Sequence, residues 1–222
     1  MVSHHLVDIV AIVETALQDD ERSPRYCPNE CLEIPGNQLF RKDNNKEIKG
    51  GILTYVKDFI CVSEIKSINN MSADLSECMW LQLQIKESKV MFGAIYRKGR
   101  STVTNNKLLN KTIQKVSRMY EKVIICGDFN FPEINWETFN VNAGPYSAPS
   151  QFLSCLNNCY LSQNVSEFTR IRGNNKPSLI DLVITENSQT LFEKVAAACV
   201  LKWKYLVVDS INRQVGDHKP GM

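Results

Sequence analysis

Apolar residues gather in short blocks separated by polar stretches, the rhythm of a chain richer in strands than in helices. Strands are predicted near residues 50–57, 59–67, 78–86, 89–96 and 123–127, from period-2 or continuous apolar patterning. Shorter ones follow at 164–168 and 179–185. Leu108, Leu109, Ile113, Val116 and Met119 recur at helical spacing, which predicts a helix from about Asn106 to Tyr120. A second helix is predicted near Ser150–Asn158. Residues 19–47 are rich in Asp, Glu, Asn and Pro and read as a surface loop crossed by one short strand. No internal repeat or long linker interrupts the pattern, so one α/β domain is expected, a two-layer sandwich flanked by a few helices.

One block carries candidate chemistry. Val123-Ile124-Ile125-Cys126 runs into Gly127-Asp128-Phe129-Asn130-Phe131-Pro132. A buried strand ending in glycine can bend as it leaves the sheet. Asp128 and Asn130 then share side-chain parity at the strand mouth, with Phe129 pointing the other way. A carboxylate beside a neutral amide suits a phosphate and its metal ion. The plainer alternative is a strand ending in a local Asx-type turn.

Composition changes this picture little. The chain has 222 residues, 43% hydrophobic and 23% charged, enough for one domain with a sizeable core. A net charge of +2 announces no global attraction to nucleic acid, so binding would need a local patch. Lys107, Lys111, Lys115, Arg118 and Lys122 form one candidate, against the alternative of a solvated helix face. The eight cysteines show no disulfide pattern. Cys126, Cys155 and Cys159 suit core positions, and Cys27 and Cys31 lack partners at zinc-ligand spacing. No apolar run approaches the roughly 18 to 20 residues of a membrane span. Free thiols without a targeting segment predict a reducing compartment, nucleus or cytoplasm.

Gly127-Asp128-Phe129-Asn130 resembles the signature of the endonuclease/exonuclease/phosphatase superfamily of Mg²⁺-dependent phosphoesterases. Its continuation Phe131-Pro132-Glu133-Ile134-Asn135-Trp136 is similar to the version in endonucleases of non-LTR (LINE-type) retrotransposons. Further matches keep the family's order. Asp8 to Thr15 is similar to the strand ending in a metal-binding glutamate, and Gly50 to Lys57 to the next strand. Trp80 to Ile85 and Val90 to Arg97 resemble the hairpin with a catalytic tyrosine. Thr169 to Gly173, with Ser178 to Val183, resembles the late aspartate strand. The resemblance spans roughly residues 6 to 190.

It implies roles. Glu14 would bind Mg²⁺, with Mn²⁺ as a substitute. Asp128 would act as acid or base, Asn130 would hold a phosphate oxygen, and Tyr96 would donate to one. Asp181, costly to bury alone, would orient a catalytic histidine. The only candidate for that histidine is His218, beside Asp217 as a second metal-linked carboxylate. Arg97 could touch phosphate, although strand parity turns it away from Tyr96. Lys98 stands where family members often have Pro. Arg172 is the nearest basic residue in sequence to compensate Asp181, and Trp136 is expected to pack the loop. An asparagine that the family carries on an earlier strand has no counterpart, and His4 and His5 do not replace it. Residues 1–200 are therefore expected to form the domain without its first strand, and 201–222 an atypical tail. Leu201 to Val208 does not align, and the chain reads as a retroelement fragment truncated at both ends. The implied partner is DNA, with no membrane, no small-molecule cofactor and a monomeric state. Three functions compete. They are a DNA endonuclease, a catalytically impaired remnant of one, and a phosphatase or lipid phosphodiesterase of the same superfamily.

Overall fold

The computed structural model of the chain describes residues 7–44, 50–71, 77–171, 176–186, 192–200 and 203–211. In chain order the elements are β1 (Val7–Val13), β2 (Asn37–Lys42), β3 (Ile52–Lys57), β4 (Cys61–Glu64), α1 (Lys66–Met71), β5 (Cys78–Ile85) and β6 (Ser88–Tyr96). They continue as α2 (Val103–Met119), β7 (Lys122–Asp128), the two-residue strands β8 (Ile134–Asn135) and β9 (Asn140–Val141), and α3 (Ala148–Asn158). The last four are β10 (Leu161–Gln163), β11 (Asp181–Glu186), β12 (Phe192–Val200) and β13 (Trp203–Ile211). Among the described residues the main strands form two sheets, β12-β13-β1-β3-β2 and β10-β11-β7-β6-β5-β4. The expected two-layer sandwich with few helices is the fold.

Strand alternation divides the core into two layers. On β6, Val90, Phe92 and Ala94 face the other sheet, packed with Ile9, Ala11, Val13, Ile52 and Val56. Met91 and Ile95 face the opposite way, toward Leu109, Ile113 and Val116 of α2 and Phe152 and Leu156 of α3. β6 and β7 pair in parallel, which requires a crossover, and α2 provides it. That helix starts where the Thr102 hydroxyl accepts the Asn105 N–H at 3.1 Å. In α3 the Ser147 hydroxyl accepts the Ser150 N–H at 3.4 Å, and Pro149 sits in the first turn.

Some expectations shift. The strand over 59–67 stops at Glu64, and helix α1 follows from Lys66. The strand near 164–168 falls earlier, at Leu161–Gln163, paired with the end of β11. Met119 is exposed at the end of α2 instead of completing its apolar stripe. Lys107, Lys111, Lys115 and Arg118 lie on the exposed face of α2, while Lys122 belongs to β7 and donates to the Ser88 hydroxyl at 2.7 Å. The segment that does not align, expected as part of an atypical tail, carries β13. It lies between β12 and β1 in the first sheet, with Val7 to Val13 facing Asp209 to Lys204. Backbone pairing, indifferent to side-chain identity, accounts for a strand where no motif is legible. His4, His5, Arg172, Asp217 and His218 lie outside the described residues.

Candidate active site

The site is built at one end of β6, β7 and β11. Tyr96 lies directly opposite Asp128 across the parallel pair, and Asp128 directly opposite Asp181 across the antiparallel one. Opposed residues share a face. The parity of Val90, Phe92 and Ala94, of Ile124 and Cys126, and of Val183 puts all three polar side chains on the inter-sheet face. Where the apolar layer ends, a phenol and two carboxylates begin. Asp128 is 1% exposed and Asp181 3%.

Glu14 comes from the other sheet. Its neighbour Val13 points inward, so an unbroken strand would send Glu14 outward. A left-handed backbone, φ +59° at Glu14, breaks the alternation. The carboxylate instead comes near enough to the Tyr96 hydroxyl to raise its pKa. Burial pushes the Tyr96 phenol well above the usual tyrosine range. The nearby charges of Glu14, Asp128 and Glu77 add to that shift. Tyr96 therefore stays protonated and keeps its donor.

Asn130 also has left-handed φ, +48°, so parity does not place it. The Asx-type turn is present: the Asn130 N–H donates to Asp128 Oδ1 at 3.0 Å. The Asn130 amide Nδ2 donates to the Arg97 carbonyl at 2.9 Å. The local turn and the candidate site are thus one structure, because the turn fixes the Asp128 carboxylate. Phe129 is fully buried, 5.1 Å from the Phe152 ring, and anchors the loop beneath.

Gly127 has a role other than the expected bend. β7 runs through it to Asp128, and a Cβ at this position would fall 1.7 Å from the Ile95 carbonyl oxygen. The glycine permits close approach of β6 and β7 at the level of the site. Arg97 is corrected as well. Its Nη1 donates to the Phe129 and Asn130 carbonyls, each at 3.0 Å, and its Nε to Asn106 Oδ1 at 2.8 Å. The guanidinium lies 3.7 Å from the centroid of the Phe131 ring. Burial lowers its pKa to about 10, which still leaves it charged at neutral pH. Arg97 braces the loop through these contacts. Trp136 packs against the helix-side core, edge-on to Phe139 at 6.5 Å.

Two residues carry weight although the motifs assign them no individual role. Thr169 accepts the N–H groups of Ile180 (3.2 Å) and Asp181 (3.0 Å) on its hydroxyl, fixing the start of β11. Glu77, 5% exposed, sits between the sheets beside the site. Its only sequence signal is a charge immediately before an apolar strand.

A metal fits the donor chemistry in one way. The described residues hold no group of three or more His, Cys, Asp or Glu side chains arranged for a metal ion. Mg²⁺ needs only one or two carboxylates and keeps several waters. A site built on Glu14 suits Mg²⁺ or Mn²⁺, whereas zinc prefers a closed set of nitrogen and sulfur ligands.

Two facing sheets with carboxylates, an amide and a phenol at one mouth define an endonuclease/exonuclease/phosphatase fold. The family model described as endonuclease-reverse transcriptase matches residues 90–206, more than half of the chain, and the chain belongs to that family. The fold is similar to the endonuclease domain of TRAS1, a telomere-specific non-LTR retrotransposon (TM-score 0.60, 14% identity, 82% of each chain covered). It is likewise similar to the 3'-5' exonuclease NExo from Neisseria meningitidis (TM-score 0.61, 12% identity, 93% of this chain and 90% of that one). The catalytic domain of Xenopus laevis APE2 is a third (TM-score 0.59, 11% identity, 93% and 86%). No curated protein matches the chain in sequence. At these identities the structural likeness is one of fold. No helix among the described residues is long and apolar enough to cross a membrane.

Proposed function

We propose that this chain is a Mg²⁺-dependent DNA endonuclease domain of a retroelement, hydrolysing one strand of a DNA duplex. The observation that carries the reading is the alignment of Tyr96, Asp128 and Asp181 across three neighbouring strands, with Glu14 near Tyr96 from the facing sheet. Membership of the endonuclease-reverse transcriptase family supports it, as does a 3' phosphatase NExo from Neisseria, of the same fold, bound to a product DNA hairpin.

The residues divide the work of phosphodiester hydrolysis. Glu14, with Asp217 as the resemblance implies, would hold the metal through its carboxylate. When bound, the ion supplies charge stabilisation and lowers the pKa of its water. Asp128, held by the Asn130 N–H, would take the proton of the attacking water. Tyr96, kept neutral, would donate to a phosphate oxygen as charge grows there. Asn130 would hydrogen-bond the phosphate without repelling it. Asp181 opposes Asp128 on the neighbouring strand, which sets it beside the reacting centre. His218 is proposed as the imidazole that Asp181 orients, with Asp217 beside it, and both act as expectations from the resemblance.

The test is conversion of supercoiled plasmid to nicked circles by the purified chain, with Mg²⁺, with Mn²⁺ and with excess chelator. Nicking that needs the metal and is lost in Asp128→Asn supports the reading. Plasmid left supercoiled in every arm identifies a fold without the activity, and release of phosphate from monoesters in preference to nicking identifies a phosphatase.

A further inference from the structure

Glu14 and Tyr96 belong to different sheets, and the layer between those sheets is almost wholly apolar. Burial of this kind is strong, about 1.5–3 kcal/mol for each large side chain, but it has no direction. It presses the sheets together without fixing where one strand end lies against another. Directional bonds at the mouth must do that, and among the described residues one side chain makes two of them.

Glu77 precedes β5, and its main-chain carbonyl accepts the Tyr96 N–H at 2.8 Å. Its carboxylate crosses to the other sheet. Oε2 accepts the Gly51 N–H at 3.0 Å, and Oε1 accepts the side-chain amide of Asn44. The Gly50 carbonyl in turn accepts the Ala16 N–H at 2.7 Å and the Gly51 carbonyl the Thr15 N–H at 3.4 Å. Those two donors directly follow Glu14, in the left-handed turn that brings its carboxylate inward. A set of bonds thus runs from Tyr96 through Glu77, Gly50 and Gly51 to Thr15 and Ala16, the residues that follow Glu14.

The surroundings are shaped for this carboxylate. At Gly50, φ is +111°, and a Cβ would lie 2.2 Å from Glu77 Oε1, so a larger residue would displace the latch. Lys98, two residues beyond Tyr96, stands 3.8 Å from the same oxygen and offsets its charge. A buried carboxylate is costly and persists where donors and a cation surround it.

We propose that Glu77 is a positioning residue, the cross-sheet latch that holds Glu14 and Tyr96 in the relative geometry the metal site needs. The inference rests on the nuclease reading, since Glu14 must be a metal ligand for the latch to matter. Outer partners of metal ligands typically govern about 10- to 100-fold in metal affinity. Loss of the latch should therefore weaken the metal, not only the fold.

The experiment measures Mn²⁺ binding to the whole chain by electron paramagnetic resonance of the free ion, alongside plasmid nicking. Circular dichroism sets a temperature at which every compared variant is folded. Glu77→Ala should weaken Mn²⁺ about tenfold or more and raise the metal concentration for half-maximal nicking by a similar factor. Glu77→Gln keeps an acceptor for the Gly51 N–H and should stay within about threefold of the wild type. Gly50→Ala should behave like Glu77→Ala, and serves if the latter does not fold. Wild-type Mn²⁺ affinity in a folded Glu77→Ala or Gly50→Ala overturns the inference alone. Failure of both to fold, with Glu77→Gln as weak as a Glu14→Gln control, also overturns it, because the bond geometry would then not be what matters. A wild type that neither binds Mn²⁺ nor nicks overturns the nuclease reading and this inference with it.

Discussion

The Tyr96 hydroxyl at the end of β6 lies near the carboxylate of Glu14, the residue just past β1 in the facing sheet, and Glu14 raises its pKa. Tyr96→Phe removes only that oxygen. Nicking should fall roughly 100-fold, the scale of losing one donor to a developing oxyanion. The thermal midpoint at neutral pH should move little. The pH dependence of stability carries a second signature. The folded-state pKa of Tyr96 is raised above the unfolded value near 10, so its contribution is complete below pH 10 and is lost as the pH rises beyond it. Alkaline unfolding followed by circular dichroism should show that slope in the wild type and a shallower one in Tyr96→Phe.

Asp128→Asn separates chemistry from architecture. The amide oxygen can still accept the Asn130 N–H, so the turn and loop should survive. What is lost is a group able to take a proton. General-base catalysis typically supplies about 10²- to 10⁴-fold, and a drop of that size in single-turnover nicking is expected with an unchanged melting curve. Asp128→Ala should lose the same activity and also some stability, because it deletes the turn's acceptor.

Metal dependence is predicted from the oxygen donors alone. Excess chelator should abolish nicking, and Mg²⁺ or Mn²⁺ should restore it. Zn²⁺ should restore it poorly, because the described site offers no thiolate or imidazole. Undiminished cleavage in chelator would remove Glu14 from its proposed role.

Gly127→Ala is predicted to harm the fold before the chemistry. The added methyl meets the Ile95 carbonyl oxygen, backbone that cannot rotate away, and φ at Gly127 is +144°. Strain of this kind costs about 1–3 kcal/mol, and overpacking a similar amount again. Expression in insoluble form, or a thermal midpoint lowered by several degrees, is the expected result.

Sequence patterning located the parts whose signal is local. β5, β6, β7, α2 and α3 lie close to the expected spans, because each buries one face with the period of its own geometry. The block around Asp128 was legible for the same reason, being an apolar strand running into turn residues. Parity correctly sends Asp128 into the inter-sheet space and Phe129 into the helix-side core. It fails at Glu14 and Asn130, where left-handed backbone overrides the alternation that a strand would impose. It holds for Arg97, which points away from Tyr96, but cannot show that its partners are carbonyls 32 and 33 residues away. Glu77 was invisible because its function lies in bonds to Asn44 and Gly51, which only the packing of two sheets brings near. β13 was missed for a related reason, since its partner β1 lies almost the whole chain away.

The pair Asp128 and Asp181 yields the last prediction. They stand directly opposite on β7 and β11, each almost wholly buried, and like charges at opposed positions destabilise a sheet. Such an arrangement persists in nature where a function needs it, at some expense in stability. Asp181→Asn halves the charge at this point while keeping the shape and a hydrogen-bonding oxygen. In chelator, where no bound metal ion acts on the pair, the variant should be more stable than the wild type. A gain of roughly 0.5–2 kcal/mol is expected, or a few degrees in midpoint for a domain of this size. With Mg²⁺ present the difference should shrink, because a bound cation relieves the repulsion in the wild type. Nicking should fall at least tenfold in the same variant. A destabilised Asp181→Asn in chelator would instead mean that this carboxylate is held by charge-assisted bonds, and that its burial serves the fold.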